Sequence, residues 1–233
     1  MEKERFQRLK LLIEDSKFKK LQDKRILVCG LGGVGGYSLE TLTRCGITNF
    51  TIIDHDRIEM SNFNRQIIAL DQDIKKLKVE VFKNRILAIN PACNVVTSDT
   101  FLLPANIESL DLSSFDYIID AIDTVSAKVA LINKAKIEQI PIISAMGFGN
   151  KTDPSKIKIG DIYETSICPL ARVIRRELKK LTIESLTVVY SLEKPLKVEN
   201  MEQENRVVGS FMPVTASAGI LMATQVIKEL IET

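Results

Sequence analysis

Arg25-Ile-Leu-Val-Cys-Gly-Leu-Gly-Gly-Val-Gly-Gly-Tyr-Ser-Leu-Glu40 is the stretch whose reading decides the fold. It opens with a short apolar run of the kind that forms a buried strand. Gly30, Gly32 and Gly35 follow in GxGxxG spacing, with Gly33 between them. A helical pattern then runs from about Tyr37 to Arg44, and Gly46 stops it. Asn49-Phe-Thr-Ile-Ile-Asp54 is a second strand ending in an acid. Strand, glycine turn, helix and strand within about 30 residues make a βαβ unit. Such glycines let the backbone turn tightly and approach a phosphate, and the helix N-terminus adds N–H donors and a favourable dipole. Asp54 sits where a carboxylate can take ribose hydroxyls. Gly30, Gly32, Gly33, Gly35 and Asp54 therefore predict a nucleotide site, without identifying the nucleotide.

Outward from this unit, the spacing predicts a helix over residues 1–23 and a loop from His55 to Gln66. A helix from about Lys75 to Ile89 stops before Pro91. Asn94–Thr97, Phe115–Asp120 and Ile140–Ser144 read as strands, with a helix over Thr124–Glu138. Alternating strands and helices imply a Rossmann-like, doubly wound, mainly parallel sheet. After about residue 150 the pattern changes. Ile157–Tyr163, Leu186–Tyr190 and Val207–Phe211 read as strands, Leu170–Leu181 as a helix and Pro213–Ile231 as a final helix. The expectation is a single α/β domain over residues 1–233. Residues 1–150 would form its nucleotide-binding part. Residues 151–233 would be a substrate-facing extension that continues the sheet with antiparallel strands.

Composition narrows the class. The chain has 233 residues, 45% of them hydrophobic and 27% charged, which is ordinary for a globular protein and excludes disorder. Lys and Arg number 32 against 30 acids, a net charge of +2, so a whole-protein basic field is excluded while a local patch is not. Cys29, Cys45, Cys93 and Cys168 form no CxxC pair, which argues against a cysteine-built zinc site. The N-terminus lacks a signal-peptide core, and the apolar stretch from Pro213 to Ile231 carries too many polar residues to read as a membrane span. The expectation is a reduced, cytoplasmic protein with no membrane partner.

A triphosphate needs cations and a metal-holding acid beyond the glycine loop. Asn62, Arg65 and Gln66 follow Asp54 within Ser61-Asn-Phe-Asn-Arg-Gln66, and Lys78 starts a helical stretch. Asp120 and Asp123 lie at the C-terminal end of a strand, where open α/β sheets bind ligands. Each has a plain structural reading: Arg65 and Lys78 as solvated charges, Asp123 as a helix N-cap. Their joint placement around one crevice favours a triphosphate. It argues against the plain NAD-dependent oxidoreductase that the glycine loop alone would allow.

At these residues the sequence resembles the ubiquitin-activating (E1)-like adenylating enzymes, the ThiF/MoeB/HesA family. The shared marks are Gly30-Leu-Gly-Gly-Val-Gly35, Asp54, Ser61-Asn-Phe-Asn-Arg-Gln66, Lys78, Asp120-Ala-Ile-Asp123 and the N-terminal Arg5-Phe-Gln-Arg8. The resemblance implies ATP and Mg²⁺, with Asp54 on the ribose and Asn62, Arg65 and Lys78 on the phosphates. It implies Asp123 as the magnesium ligand. It also implies a homodimer in which Arg8 reaches the γ-phosphate region of the partner subunit. Arg8, Arg65, Lys78 and Asp123 would then be the catalytic set. Gly160-Asp-Ile-Tyr-Glu-Thr-Ser-Ile-Cys-Pro-Leu-Ala-Arg172 and Gly209-Ser-Phe-Met-Pro-Val-Thr-Ala-Ser-Ala-Gly219 are similar to one branch, the tRNA threonylcarbamoyladenosine dehydratases. That similarity implies that the activated carboxylate is the threonyl group of t6A in tRNA, which then cyclises with release of AMP. The alternative within the family is adenylation of the Gly-Gly end of a ubiquitin-like sulfur-carrier protein. Thiol-transferring relatives would add a cysteine desulfurase or a sulfur carrier as partner.

A tRNA substrate predicts a cationic surface. Arg172, Arg175, Arg176, Lys179 and Lys180 fall on one face of a helix, opposite Leu170, Ile174, Leu178 and Leu181. The stripe suits phosphate-backbone contact, and its plain reading is a solvated surface. Cys168 before Pro169 reads as unreactive more readily than as a nucleophile. His55 reads as a loop residue near the nucleotide, and Phe148 as a loop aromatic that a base could stack on.

Overall fold

The computed structural model describes residues 5–197 and 208–232. One mixed sheet of seven strands organises them: β1 (Arg25–Cys29), β2 (Asn49–Ile53), β3 (Asn94–Ser98), β4 (Tyr117–Asp120), β5 (Ile142–Ala145), β6 (Ile157–Asp161) and β7 (Thr187–Ser191). Their order across the sheet is β3-β2-β1-β4-β5-β7-β6. Side chains alternate between faces along each strand. Ile26 and Val28 of β1 therefore enter one core with Ile52, Ile119 and Ile143. Leu27 and Cys29 enter a second core with Ile53, Ile118 and Ile142.

The first core is covered by α2 (Asp15–Asp23), α3 (Gly35–Arg44), α4 (Lys78–Ile89) and α8 (Met212–Glu232), through residues such as Leu21, Leu39, Phe82 and Val226. The second is covered by α5 (Pro104–Glu108), α6 (Val125–Ile137) and α7 (Pro169–Lys180), through Ile107, Leu131 and Ile174. This is the expected doubly wound α/β sandwich. By length and composition α8 is apolar enough to cross a membrane, and half of its most apolar window is buried inside the protein.

Several elements depart from the sequence expectation. The N-terminal helix is broken into α1 (Gln7–Lys10) and α2, with an extended Glu14 between them. In one straight helix Phe6 and Phe18 would stand about 18 Å apart; here their rings lie 5.2 Å apart and share one apolar contact. The helix expected from Lys75 begins at Lys78, because Lys75 takes φ 68° and Arg57 bridges to Leu77. The last third is only partly antiparallel: β7 pairs parallel with β5, and β6 alone runs against β7. Val208–Phe211 form no strand, and Val207 lies outside the described residues. This short segment is instead held by side chains, as described below.

Candidate active site

The chemistry gathers at the C-terminal edge of the parallel strands. Gly30 leaves β1 at φ +88°, and a Cβ there would stand 2.5 Å from the Ala121 carbonyl oxygen. A Cβ on Gly35 would stand 1.9 Å from the Gly30 carbonyl oxygen. Gly32 is different, with nothing within 4 Å of its Cβ position, so its backbone faces open space. Gly30 and Gly35 are thus required by packing, and Gly32 leaves room for a ligand.

Asp54, just past β2, is buried and held at both carboxylate oxygens. The Leu31 N–H donates to Oδ2 at 2.6 Å and the Asp56 N–H to Oδ1 at 2.8 Å. The first bond ties the acid to the glycine loop. Lys78 opens α4 and is 3% exposed, so it is no solvated charge. Its Nζ donates to Asp56 Oδ2 at 2.7 Å. Asn62 is buried, and its Oδ1 accepts from the Glu59 N–H at 3.2 Å. Arg65 is aimed by two bonds from Nη1, to the Ser61 carbonyl at 2.7 Å and to Asn64 Oδ1 at 2.9 Å.

The turn after β4 is fixed by a fully buried ion pair, Lys128 Nζ to Asp120 Oδ2 at 2.7 Å. Asp120 Oδ1 also accepts the Ile122 N–H at 3.1 Å. Asp123 hangs from this turn with its carboxylate open to the cavity. It is not the N-cap of α6: Thr124 holds that position, and no side chain caps the helix. The surrounding walls displace water and raise the Asp123 carboxyl above the usual aspartate range. Lys128, Lys78 and Arg65 pull it down, and Asp120 adds to the rise.

These groups line a cavity of about 240 Å³ that includes Gly30, Gly32, Gly33, Asp54, Asn62, Arg65, Lys78 and Asp123. The sequence reading missed Thr100, Phe101 and Leu102 on its far wall. His55 meets Phe101 edge to face, with ring centroids 4.4 Å apart. No motif announces this segment, which enters the site only because β3 ends beside β2.

A second cavity of about 450 Å³ adjoins the first and shares Gly32, Gly33, Arg65, Ala121, Ile122 and Asp123 with it. Its other walls are Met146, Phe148, the loop glycines Gly147 and Gly149, the Val208–Ser210 segment and Thr215. Arg65 and Asp123 thus stand on the divide between two compartments.

The remaining candidates lie apart. Arg8 is exposed on α1 and lines neither cavity. Cys168 is 1% exposed, and its Sγ accepts the Gly147 N–H at 3.3 Å. On α7, Arg172, Arg176, Lys179 and Lys180 are exposed. Arg175 departs from the stripe: its guanidinium turns in to the Thr165 carbonyl at 2.6 Å and to the Thr165 hydroxyl. The expected apolar face holds at Ile174 and Leu178, whereas Leu181 is 40% exposed.

The sequence profile of the ThiF family matches residues 6–233. The chain belongs to the ThiF family. It is 33% identical over 240 residues to the tRNA threonylcarbamoyladenosine dehydratase of Bacillus subtilis, covering 97% of this chain and 94% of the relative. It is 41% identical over 157 residues to the Escherichia coli enzyme of the same name, covering 67% of this chain and 59% of that relative. The crystal structure of E. coli TcdA in complex with AMP superposes with a TM-score of 0.91 at 32% identity, over 99% of this chain and 95% of that one. The crystal structure of the same enzyme in complex with ATP gives a TM-score of 0.89 over the same shares.

Proposed function

We propose that this chain is an ATP-dependent tRNA threonylcarbamoyladenosine dehydratase. The observation that carries the reading is the shared wall of the two cavities. ATP would occupy the first, with its ribose on Asp54 and its phosphates over Gly32 and against Asn62, Arg65 and Lys78. The threonyl carboxylate of t6A would enter from the second and meet the α-phosphorus at the divide.

The carboxylate attacks the α-phosphorus and pyrophosphate leaves, giving an acyl-adenylate. Arg65 and Lys78 stabilise the charge that develops on the phosphoryl oxygens, and their fixed positions limit reorganisation during the step. Lys78 is pre-aimed by Asp56, whose carboxylate holds the ammonium in place. The acyl carbon is then attacked from within the same modified nucleoside. This closes the ring and expels AMP, so the net change is loss of water. No separate enzymic nucleophile is needed, because the attacking group is tethered at high effective concentration.

Asp123 is the proposed ligand of Mg²⁺. Its carboxylate, which lines both cavities, offers the oxygen donor that a hard divalent ion takes. Bound there, the ion would offset phosphate charge. The reading extends to a homodimer that brings Arg8 to the neighbouring subunit's phosphates, and to a cytoplasmic location. Residues 151–233 would shape the tRNA side, and the exposed cations of α7 would meet the tRNA backbone. Gly147, against which Cys168 packs, lines the second cavity, so α7 begins at that cavity's wall.

The test is incubation of the protein with ATP and t6A-containing tRNA, followed by nucleoside mass analysis. Loss of one water from t6A, with one AMP formed per nucleoside, is the expected result. AMP formation only with a carrier protein ending in Gly-Gly would overturn the tRNA reading and keep the adenylation.

A further inference from the structure

The segment Val208–Phe211 crosses the second cavity as a strap with two clamps. On one side, Asn150 accepts the Gly209 N–H at Oδ1 (2.6 Å) and donates its own N–H to the Gly209 carbonyl (2.8 Å). Asn150 takes φ 55°, a left-handed conformation that Asn, Asp and Gly tolerate best. Its carbonyl also accepts the Leu196 N–H at 2.7 Å. The approach is close: a Cβ on Gly149 would stand 2.1 Å from Val208 Cγ1, and one on Gly209 2.9 Å from Asn150 Oδ1. On the other side, Asn64 Nδ2 donates to the Ser210 carbonyl at 2.9 Å. The same Asn64 side chain accepts, at Oδ1, the Arg65 Nη1 bond of 2.9 Å.

Asn64 therefore uses both ends of one amide. Its nitrogen holds the strap and its oxygen holds the guanidinium on the divide between the cavities. A carboxylate could replace only the acceptor, and a smaller residue neither. We propose that Asn64 and Asn150 are positioning residues: they hold the strap as a wall of the acyl-substrate cavity and link its position to Arg65. A substrate that settles against Val208–Ser210 would thereby fix the cation that serves the adenylation step. The proposal rests on the function given above and adds a specificity element outside the nucleotide contacts.

The experiment compares Asn150→Gly, Asn150→Asp and Asn64→Asp with the unaltered protein. Gly keeps the left-handed backbone and loses only the side-chain acceptor; Asp at 150 keeps both. Asp at 64 keeps the acceptor for Arg65 and loses the donor to the strap. Loss of one such bond corresponds to about fivefold. Asn150→Gly and Asn64→Asp should each raise KM for t6A-tRNA about fivefold or more, with the Kd for ATP unchanged in Asn150→Gly. Asn150→Asp should restore the KM. Combining the two damaging changes should raise KM by less than the product of the single effects, since both loosen one strap. Hydrogen exchange at Gly209 should accelerate in Asn150→Gly.

Unchanged KM in Asn150→Gly despite faster exchange would overturn the substrate role, and unchanged exchange would overturn the clamp. A fully multiplicative double variant would overturn the coupling. The unaltered protein is the control for the function itself. If it leaves t6A-tRNA unchanged, the dehydratase reading fails, and the exchange rates still decide the clamp.

Discussion

Asp123 illustrates how one side chain can be costly at rest and, on the proposed function, needed in action. Its carboxyl is raised because the cavity walls displace water, so the folded state holds its proton more tightly than the unfolded chain does. The sign follows directly. Ionised Asp123 costs stability above its raised pKa, and that cost is relieved as pH falls through it. Asp123→Asn should thus leave the Tm of the ligand-free protein at neutral pH no lower, while AMP formation falls on the order of 100-fold. A drop in Tm with activity retained would reverse the assignment. Lys128, also buried, has a different role: it pairs with Asp120 behind the turn from which Asp123 hangs.

At the scale of elements, the glycine loop separates two kinds of glycine. Gly35→Ala would drive a methyl into the Gly30 carbonyl and should lower Tm by roughly 5 °C. Gly32→Ala meets nothing in the protein, so Tm should hold while ATP affinity falls on the order of tenfold, because the methyl would enter the space proposed for the phosphates. Thermal melts and ATP titration of the two variants check the contrast. This loop was legible because its chemistry is local: strand, glycines, helix and acid follow one another within a single βαβ unit. The direction of β7 was not legible. Thr187-Val-Val-Tyr-Ser191 is buried from its second residue onward, so its pattern marks no face and says nothing of its neighbours. Val208–Phe211 misled for a related reason, since an apolar run also suits a strap held by Asn150 and Asn64. Phe101 carries no sequence signal, and Asn64 lies within the Ser61–Gln66 motif with nothing there to mark its contact with Ser210, because both depend on which loops the sheet order brings together.

For the whole molecule, near-neutral net charge conceals an uneven surface. Four of the five cations on α7 face solvent, while Arg175 fastens the loop at Thr165. The two kinds of arginine should separate experimentally. Arg172→Glu with Arg176→Glu should weaken tRNA binding and reduce its salt slope by about 2. Arg175→Ala should instead lower Tm. Filter binding across a salt series, alongside thermal melts, reads both. An unchanged slope in the double variant would remove this helix from the tRNA surface.

The last helix also imposes an order of events. Gly219 of α8 lies so close to α3 that a Cβ there would stand 2.3 Å from the Val34 carbonyl oxygen, and Ser38 Oγ donates to the Gly219 carbonyl at 3.0 Å. Thr215 of the same helix packs against Gly33. The glycine loop leaves the ribosome well before the helix that supports it, because α8 lies far downstream in the sequence. A nascent chain can therefore hold the signature of a nucleotide site long before it owns a finished one, and the pocket is complete only once α8 has been made and has docked.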